Sequence, residues 1–344
     1  MKKLLVTGAG ALLGQGMLRC LQPFRSKYTI YTADPSPLSS GHWLGDKAFQ
    51  LPFADSPDYV PVLETIISQT DVDIILVGTD VELPIFAQKQ EYLERTYNLK
   101  VVVSNEKVIE IADDKYKTAQ FLKQHGFYYP DSVMANDIEA VSSFQKRNAF
   151  PYFAKPVDGA RSKGLVVIKN TKELEEVIAN PGNLVIQEFL PEDDGEFTTG
   201  VIVTQGVCNA VISLKRDLRD GNTYRTYRDN TTSRFDDYIK KVAEKLQVEG
   251  PCNFQFRIKD NTPVIFEINA RFSGTTPIRS FYGFNEVEEY ITYLTDGIDI
   301  KQPSLKDGTV FRTFSDLFIE NEEITQVFES TKTTPKSIYH PFKL

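Results

Sequence analysis

The sequence predicts an α/β domain followed by an α+β unit of two lobes, and three observations predict it. A buried run, Leu4-Leu5-Val6, leads into the glycine-rich residues 7–16 and then a helical stripe of Met17, Leu18 and Leu21, the βα opening of a doubly wound sheet. Near residue 113 the pattern restarts with a capped helix, and strands joined by a glycine-containing loop follow. Between Cys252 and Asn269, two segments of period-two alternation face each other across a turn. A length of 344 residues accommodates two to three domains, taking about 150 residues for each. The boundaries fall at 1–112, 113–190 and 191–344.

Composition narrows the function classes. Hydrophobic residues at 41% and charged ones at 25% are a globular mixture, and no apolar run approaches the ~20 residues that cross a bilayer. Met1-Lys2-Lys3 leads to a short strand and glycines rather than a long apolar stretch, so a secretory leader is not expected and a cytoplasmic location is. Cys20, Cys208, Cys252 and the three histidines show no metal-ligand or disulfide spacing. With 39 basic against 47 acidic residues, a net charge of −8, neither nucleic acid nor a membrane surface is the expected partner. Small molecules are, with a homodimer admitted.

In the first lobe, Gly8, Gly10 and Gly14 fit G-x-G-x-x-x-G, one residue longer than the dinucleotide fingerprint. The strand at 28–33 ends at Asp34, where an NAD enzyme places its ribose-binding acid. Two readings stand: a dinucleotide site, or glycines that let a helix pack closely on the sheet. Further strands are expected at 74–77 and 101–104. Asp80 and Glu82, in the loop after the first of these, either touch a substrate or cap the next helix.

In the middle lobe, Asp113-Asp114-Lys115 opens a helix with apolar Tyr116, Ala119 and Leu122, closed after His125 by Gly126. Strands at 152–156 and 165–168 flank a loop carrying Arg161, Ser162 and Lys163. That loop is either a flap that closes over a polyphosphate or a solvated hairpin tip. Asn170 with Glu173 begins a short helix, and Pro181-Gly182 ends it. The strand at 184–190 runs into an acidic loop and suits a hinge whose backbone meets an adenine edge beside Phe189 and Leu190.

In the last lobe, Glu267 and Asn269 share a strand face, and a turn of about three residues would set Gln255 opposite Glu267. One carboxylate and two amide oxygens suit Mg²⁺, which takes its other ligands from water and phosphates. Arg271 points the same way and would neutralise a transferring phosphoryl group. Phe254, Phe256 and Phe266 are expected on the opposite face. Arg216, Arg219, Arg225, Arg228 and Arg234 lie in residues 215–234, read as a mobile loop near the reacting centre or as a solvated one. Arg279 is a second candidate carboxylate anchor, and residues from 301 onward are expected to add strands to this lobe.

This ordered set resembles the ATP-grasp superfamily, most closely its carbamoyl-phosphate-synthase-like members. The shared segments are Asp114-Lys115, Ala154-Lys155-Pro156, the Gly159…Ser162…Gly164 flap, Gln187-Glu188-Phe189-Leu190, Gly195-Glu196-Phe197, Gln255 and Glu267-Ile268-Asn269-Ala270-Arg271. The resemblance implies a Rossmann-like pre-ATP-grasp domain followed by a two-lobed ATP-grasp fold, so that the first glycine loop is not an NAD site. It implies that Lys115 and Lys155 hold ATP phosphates and that Gly159, Ser162, Lys163 and Gly164 close over them. Glu188, with the backbone at Phe189 and Leu190, would meet adenine, and Glu196 the ribose. Glu267 would bridge two Mg²⁺ (Mn²⁺ being the alternative ion), with Gln255 and Asn269 completing the set. Lys155, Arg271 and Arg279 would serve the reacting groups. Two departures stand out: Arg161 replaces the family's middle glycine, and Lys stands at 115 and 155 where carbamoyl phosphate synthases carry Arg. The implied activity is ligation of a small-molecule carboxylate to an amine through an acyl phosphate. The alternatives are a carbamoyl-phosphate-synthase-like step, an NAD-dependent oxidoreductase or epimerase, and a non-catalytic nucleotide sensor.

Overall fold

In the computed structural model, which describes residues 1–158, 164–313, 315–329, 332 and 333, the buried run at the start of the chain becomes strand β1 (Lys2–Val6). Helix α1 (Leu12–Leu21) follows, then β2 (Tyr28–Asp34), β3 (Lys47–Gln50), α2 (Tyr59–Thr70), β4 (Ile74–Leu76), α3 (Leu83–Tyr97) and β5 (Lys100–Val102). These five strands pair in parallel in the order β3-β2-β1-β4-β5. The order reverses between β1 and β4, so the loops after those two strands open a crevice at their carboxyl ends, where α/β sheets bind ligands. β3 is four residues long, and its short pattern carries no expectation in the sequence.

The glycine loop does packing work. Asp34 accepts from the Gly10 amide (2.8 Å), the Ser36 amide (3.0 Å) and the Ser39 hydroxyl, so its carboxylate is spent on the loop itself. A Cβ on Gly41 would stand 1.9 Å from the Ala9 carbonyl oxygen, and one on Gly14 would stand 2.2 Å from that of Gly8. Residues 39–41 thus lie directly on the loop that a dinucleotide would need. The NAD reading gives way to the packing one.

Helices α4 (Glu106–Asp113) and α5 (Lys115–Gln124) lead into the second sheet. The Asp114 carboxylate caps α5 by accepting from the Tyr116 and Lys117 amides. The sheet comprises β6 (Ser132–Met134), β7 (Tyr152–Pro156), β8 (Val166–Ile168) and β9 (Leu184–Glu188), antiparallel in the order β6-β9-β7-β8. α6 (Ile138–Arg147) and α7 (Thr171–Ala179) accompany it. Asn170 and Glu173 form the expected capping box: Asn170 accepts from the Glu173 amide, and Glu173 accepts from the Lys169 amide. Residues 159–163 lie outside the described residues, and with them Gly159, Ser162 and Lys163 of the expected flap, and Arg161.

The third sheet is built from β10 (Glu196–Thr204), β11 (Val207–Arg219), β12 (Asn222–Arg228), β13 (Gly250–Lys259) and β14 (Thr262–Asn269), with α8 (Asp236–Leu246), α9 (Thr276–Arg279) and α10 (Glu286–Asp296) packed around it. β15 (Gly308–Phe311) extends its far edge, giving the order β14-β13-β10-β11-β12-β15. The segment read as a mobile loop at 215–234 is mostly a hairpin, because β11 continues to Arg219 and turns tightly into β12. The tail divides: β15 joins this sheet as expected, whereas after α11 (Asn321–Glu329) the two-residue β16 (Lys332–Thr333) pairs with β3 of the first sheet.

Two apolar cores each join the first and third sheets. One links Leu5, Phe86 and Ile109 with Phe197, Phe254 and Phe256, and the other links Leu4, Met17 and Leu18 with Ile202, Phe284 and Ile291. The second sheet has its own small core of Val133, Phe144, Tyr152, Ile168 and Ile186. The first and third sheets therefore form one framework, and the second is a separately packed lobe.

Candidate active site

β13 and β14 are joined by Asp260 and Asn261 alone, both left-handed with φ of 50° and 60°, which is a two-residue primed hairpin turn. Continued strictly from Lys259↔Thr262, that register would place Phe266 opposite Gln255. A β-bulge intervenes: Phe256 pairs with Ile265 but Gln255 pairs with Glu267, leaving Phe266 as the extra residue. The bulge, rather than a three-residue turn, aligns the pair. It also turns Phe266 to the cleft, 5.8 Å from the Lys155 ammonium, while Phe254 and Phe256 stay in the core.

Glu267 Oε1 accepts from Gln255 Nε2 and from Asn269 Nδ2, each at 3.0 Å. Arg271 continues the row. Its Nη2 donates to Asn269 Oδ1 (2.8 Å) and its Nε to Asp80 (2.7 Å), which reaches across from the loop after β4. Each amide thus turns its nitrogen to Glu267 and its oxygen to an arginine. With the amides turned over, one carboxylate and two amide oxygens are a hard donor set with room for other ligands, and they fit Mg²⁺. Among the described residues, no group of three Asp, Glu, His or Cys side chains could make an all-carboxylate or zinc-type alternative.

Glu196 lies between two arginines by register, opposite Arg216 on one side and Arg257 on the other. Arg216 donates to its Oε1 (2.5 and 3.1 Å) and Arg257 to its Oε2 (3.0 and 3.2 Å). Glu196, expected to accept from ribose hydroxyls, here accepts four hydrogen bonds from two guanidiniums. Arg257 also reaches the Leu190 carbonyl (3.1 Å), tying the hinge to the sheet. It sits two residues from Gln255 on an alternating strand, so its face was legible. The place of Arg216 depends on pairing with β10 and could not be read from spacing.

The second lobe supplies the opposite wall. Lys155 projects from β7 beneath Phe266, half-buried; burial is the main cause that pushes its pKa down to about 8, against the pull of Glu267 and with help from Lys115 and Arg257. The amide and ammonium nitrogens of Lys115 face the Val157 carbonyl (2.9 and 3.4 Å). Phe189 and Phe153 pack with ring centroids 5.0 Å apart. Glu188 accepts from the Asp131 amide (2.9 Å) and pairs with Lys259. Gly164, with φ of 77°, stands against the Pro156 ring at the base of the loop.

One cavity of about 1020 Å³ takes in Lys115, Lys155, Glu188, Phe189, Leu190, Glu196, Gln255, Glu267, Asn269 and Arg271. That is at the upper end of ligand pockets, about 300–1,000 Å³. It continues past Arg271 to the loops after β1 and β4. Arg279 is absent from it and corrects an expectation. The side chain is 1% exposed and bonded to Glu286 (2.6 Å) and Asn253, so packing in the core, not a substrate, holds it. Of Asp80 and Glu82, the first lines the cavity. The second is buried, accepts from the Thr7, Tyr59 and Thr79 hydroxyls, and has a carboxyl that burial holds above its ordinary range. Arg219 lies over Tyr224, Arg225 pairs with Asp217 and Arg228 with Asp307, so of that run Arg216 is the one that lines the cavity. The three cysteines are buried, and burial pushes each thiol up, away from nucleophilic thiolate.

Residues 112–275 match the family model of the ATP-grasp domain, and residues 4–102 that of the PylC-like N-terminal domain. The carbamoyl phosphate synthase large chain of Saccharolobus solfataricus is 24% identical over 210 residues, 56% of this chain and 20% of that one. The chain spans about a fifth of the length of the curated relatives it matches. Among solved structures, the N5-carboxyaminoimidazole synthetase of Staphylococcus aureus complexed with ADP superposes with a TM-score of 0.70 at 17% identity, covering 88% of this chain and 80% of that one. The L-amino acid ligase of Bacillus licheniformis gives 0.66 at 19%, covering 86% and 74%. At these identities the structural likeness is one of fold.

Proposed function

We propose that this chain, an ATP-grasp protein with a PylC-like N-terminal domain, is an ATP-dependent ligase that joins a small carboxylate to an amine through an acyl phosphate. The observation that carries the reading is the row Gln255–Glu267–Asn269–Arg271 facing Lys155 across one cavity. Glu267, Gln255 and Asn269 would hold Mg²⁺, two ions in the full reading, and the metal would spread the charge of the triphosphate. Lys155 and Lys115 would bind its oxygens, while Phe189, Phe153 and the backbone at Leu190 would receive the base. A carboxylate oxygen of the acid attacks the γ-phosphorus and expels ADP. The amine then attacks the acyl carbon and expels phosphate. Arg271, held by Asp80 and Asn269, sits where its guanidinium would steady the phosphoryl oxygens. No protein nucleophile is needed, because positioning and electrostatics carry the reaction.

ATP or ADP with Mg²⁺ is expected to raise the melting temperature, and NAD is not; stabilisation by NAD alone would reject the reading. Turnover is tested by phosphate release with ATP, Mg²⁺ and pools of carboxylic acids against pools of amines. Lys155 adds a pH signature. Bound phosphate favours its charged form, so nucleotide affinity is full below its free pKa of about 8. Above that pH the complex must take up a proton, and affinity falls as pH rises, up to about tenfold per unit. Calorimetry in two buffers would detect the proton; a constant dissociation constant up to about pH 9.5 would exclude this role for Lys155.

A further inference from the structure

Arg216 holds a position that the ligase reading does not use. From β11 it crosses the face of β10, grips Glu196, accepts a brace from Thr223 by donating to its hydroxyl (3.2 Å), and places Nη2 2.5 Å from Gln255 Oε1. Its side chain is about as buried as its carboxylate partner. Arg257 shares that carboxylate and also pairs with Glu192 (3.0 Å), so Glu196 is divided between two guanidiniums, and that of Arg216 faces the cavity. The oxygen that Gln255 would offer a cation is therefore the one Arg216 donates to. Arg271 makes the same approach to Asn269 Oδ1.

We propose that Arg216 guards the metal site: its guanidinium and a divalent cation compete for the Gln255 oxygen, and the arginine displaced by the metal is handed to the nucleotide's phosphates. The proposal rests on the ligase reading for the presence of a metal and a nucleotide. Its physical basis is local. A guanidinium and a dication within a few ångströms of one oxygen repel strongly in a half-buried site. Glu196 remains a pivot for Arg216, and the forked head suits phosphate oxygens in the same cavity. Metal alone then binds against the arginine, while metal with nucleotide binds with it. The arginine thus favours the productive pair over the bare ion.

The test measures two affinities of the full chain, bare Mn²⁺ by electron paramagnetic resonance and ADP with Mg²⁺ by calorimetry. Arg216→Met is expected to bind bare Mn²⁺ about tenfold more tightly than the unaltered chain, and to bind ADP with Mg²⁺ about tenfold more weakly. A folding defect would weaken both, so opposite signs in one variant are the signature. Mn²⁺ affinity that is unchanged or weaker in Arg216→Met overturns the proposal. Should that variant not fold, Arg216→Lys keeps a charge on Glu196 without the fork that reaches Gln255, and the same Mn²⁺ gain is required of it. Glu267→Gln separates the two levels. If it loses Mn²⁺ while the Arg216 variants gain nothing, the guard alone fails. If it leaves Mn²⁺ affinity unchanged, the metal site and the ligase reading fail with it.

Discussion

Glu267→Gln is expected to lower ATP-dependent phosphate release by about a thousandfold or more while leaving the fold intact. Glu267 is the only carboxylate among the three oxygen donors, and its Oε1 already orders both amides by accepting from Gln255 and Asn269. The amide keeps the volume but removes the charge. Its remaining carbonyl oxygen can still accept from Gln255 and Asn269, but the second oxygen becomes an NH₂ donor that cannot ligate a cation. The side chain is half-exposed at the cavity wall, and its loss leaves no cavity in the core. Denaturation should therefore shift by no more than about 1 kcal/mol. Phosphate release in the substrate screen and a melting curve decide the matter together. A variant that keeps more than about a tenth of the activity would remove Glu267 from the metal site.

How much of this site was legible depends on what each residue leans upon. Where chemistry and local spacing suffice, the sequence carried it: the Asp114 cap, the capping box at Asn170, the strand containing Lys155, and the shared face of Glu267 and Asn269. The pairing of Gln255 with Glu267 was foreseen through the wrong device. Alternation reports only which side a residue faces, and a three-residue turn and a two-residue turn with a bulge lead to the same pair. They differ at Phe266, which the bulge moved from core to cleft. The part played by Arg216 was out of reach because it depends on β11 lying beside β10, a pairing that no local signal carries. The glycine loop was ambiguous for a related reason. Gly8, Gly10 and Gly14 mark close approach, but residues 39–41 decide what approaches.

Arg279→Met is expected to destabilise the chain by about 3–5 kcal/mol and to leave nucleotide affinity nearly unchanged in the protein that folds. Sequence logic placed this arginine eight residues after Arg271 and assigned it a substrate. Its surroundings assign it a different partner. Glu286 opens α10, is 1% exposed, and divides its oxygens between Arg279 and the Thr276 hydroxyl (2.8 Å). Gly200 on the central strand makes the space, since a Cβ there would stand 2.2 Å from the guanidinium. Removing the arginine strands a buried carboxylate, which costs far more than the pair contributes over an apolar replacement. Arg279→Met with Glu286→Gln should therefore recover most of the loss, a coupling that urea denaturation of the two single variants and the double would measure. A substrate anchor would behave in the opposite way, raising KM at unchanged stability. If Arg279→Met denatures at the same urea concentration as the unaltered chain, the buried pair is not what holds Arg279, and the role first read from the sequence returns.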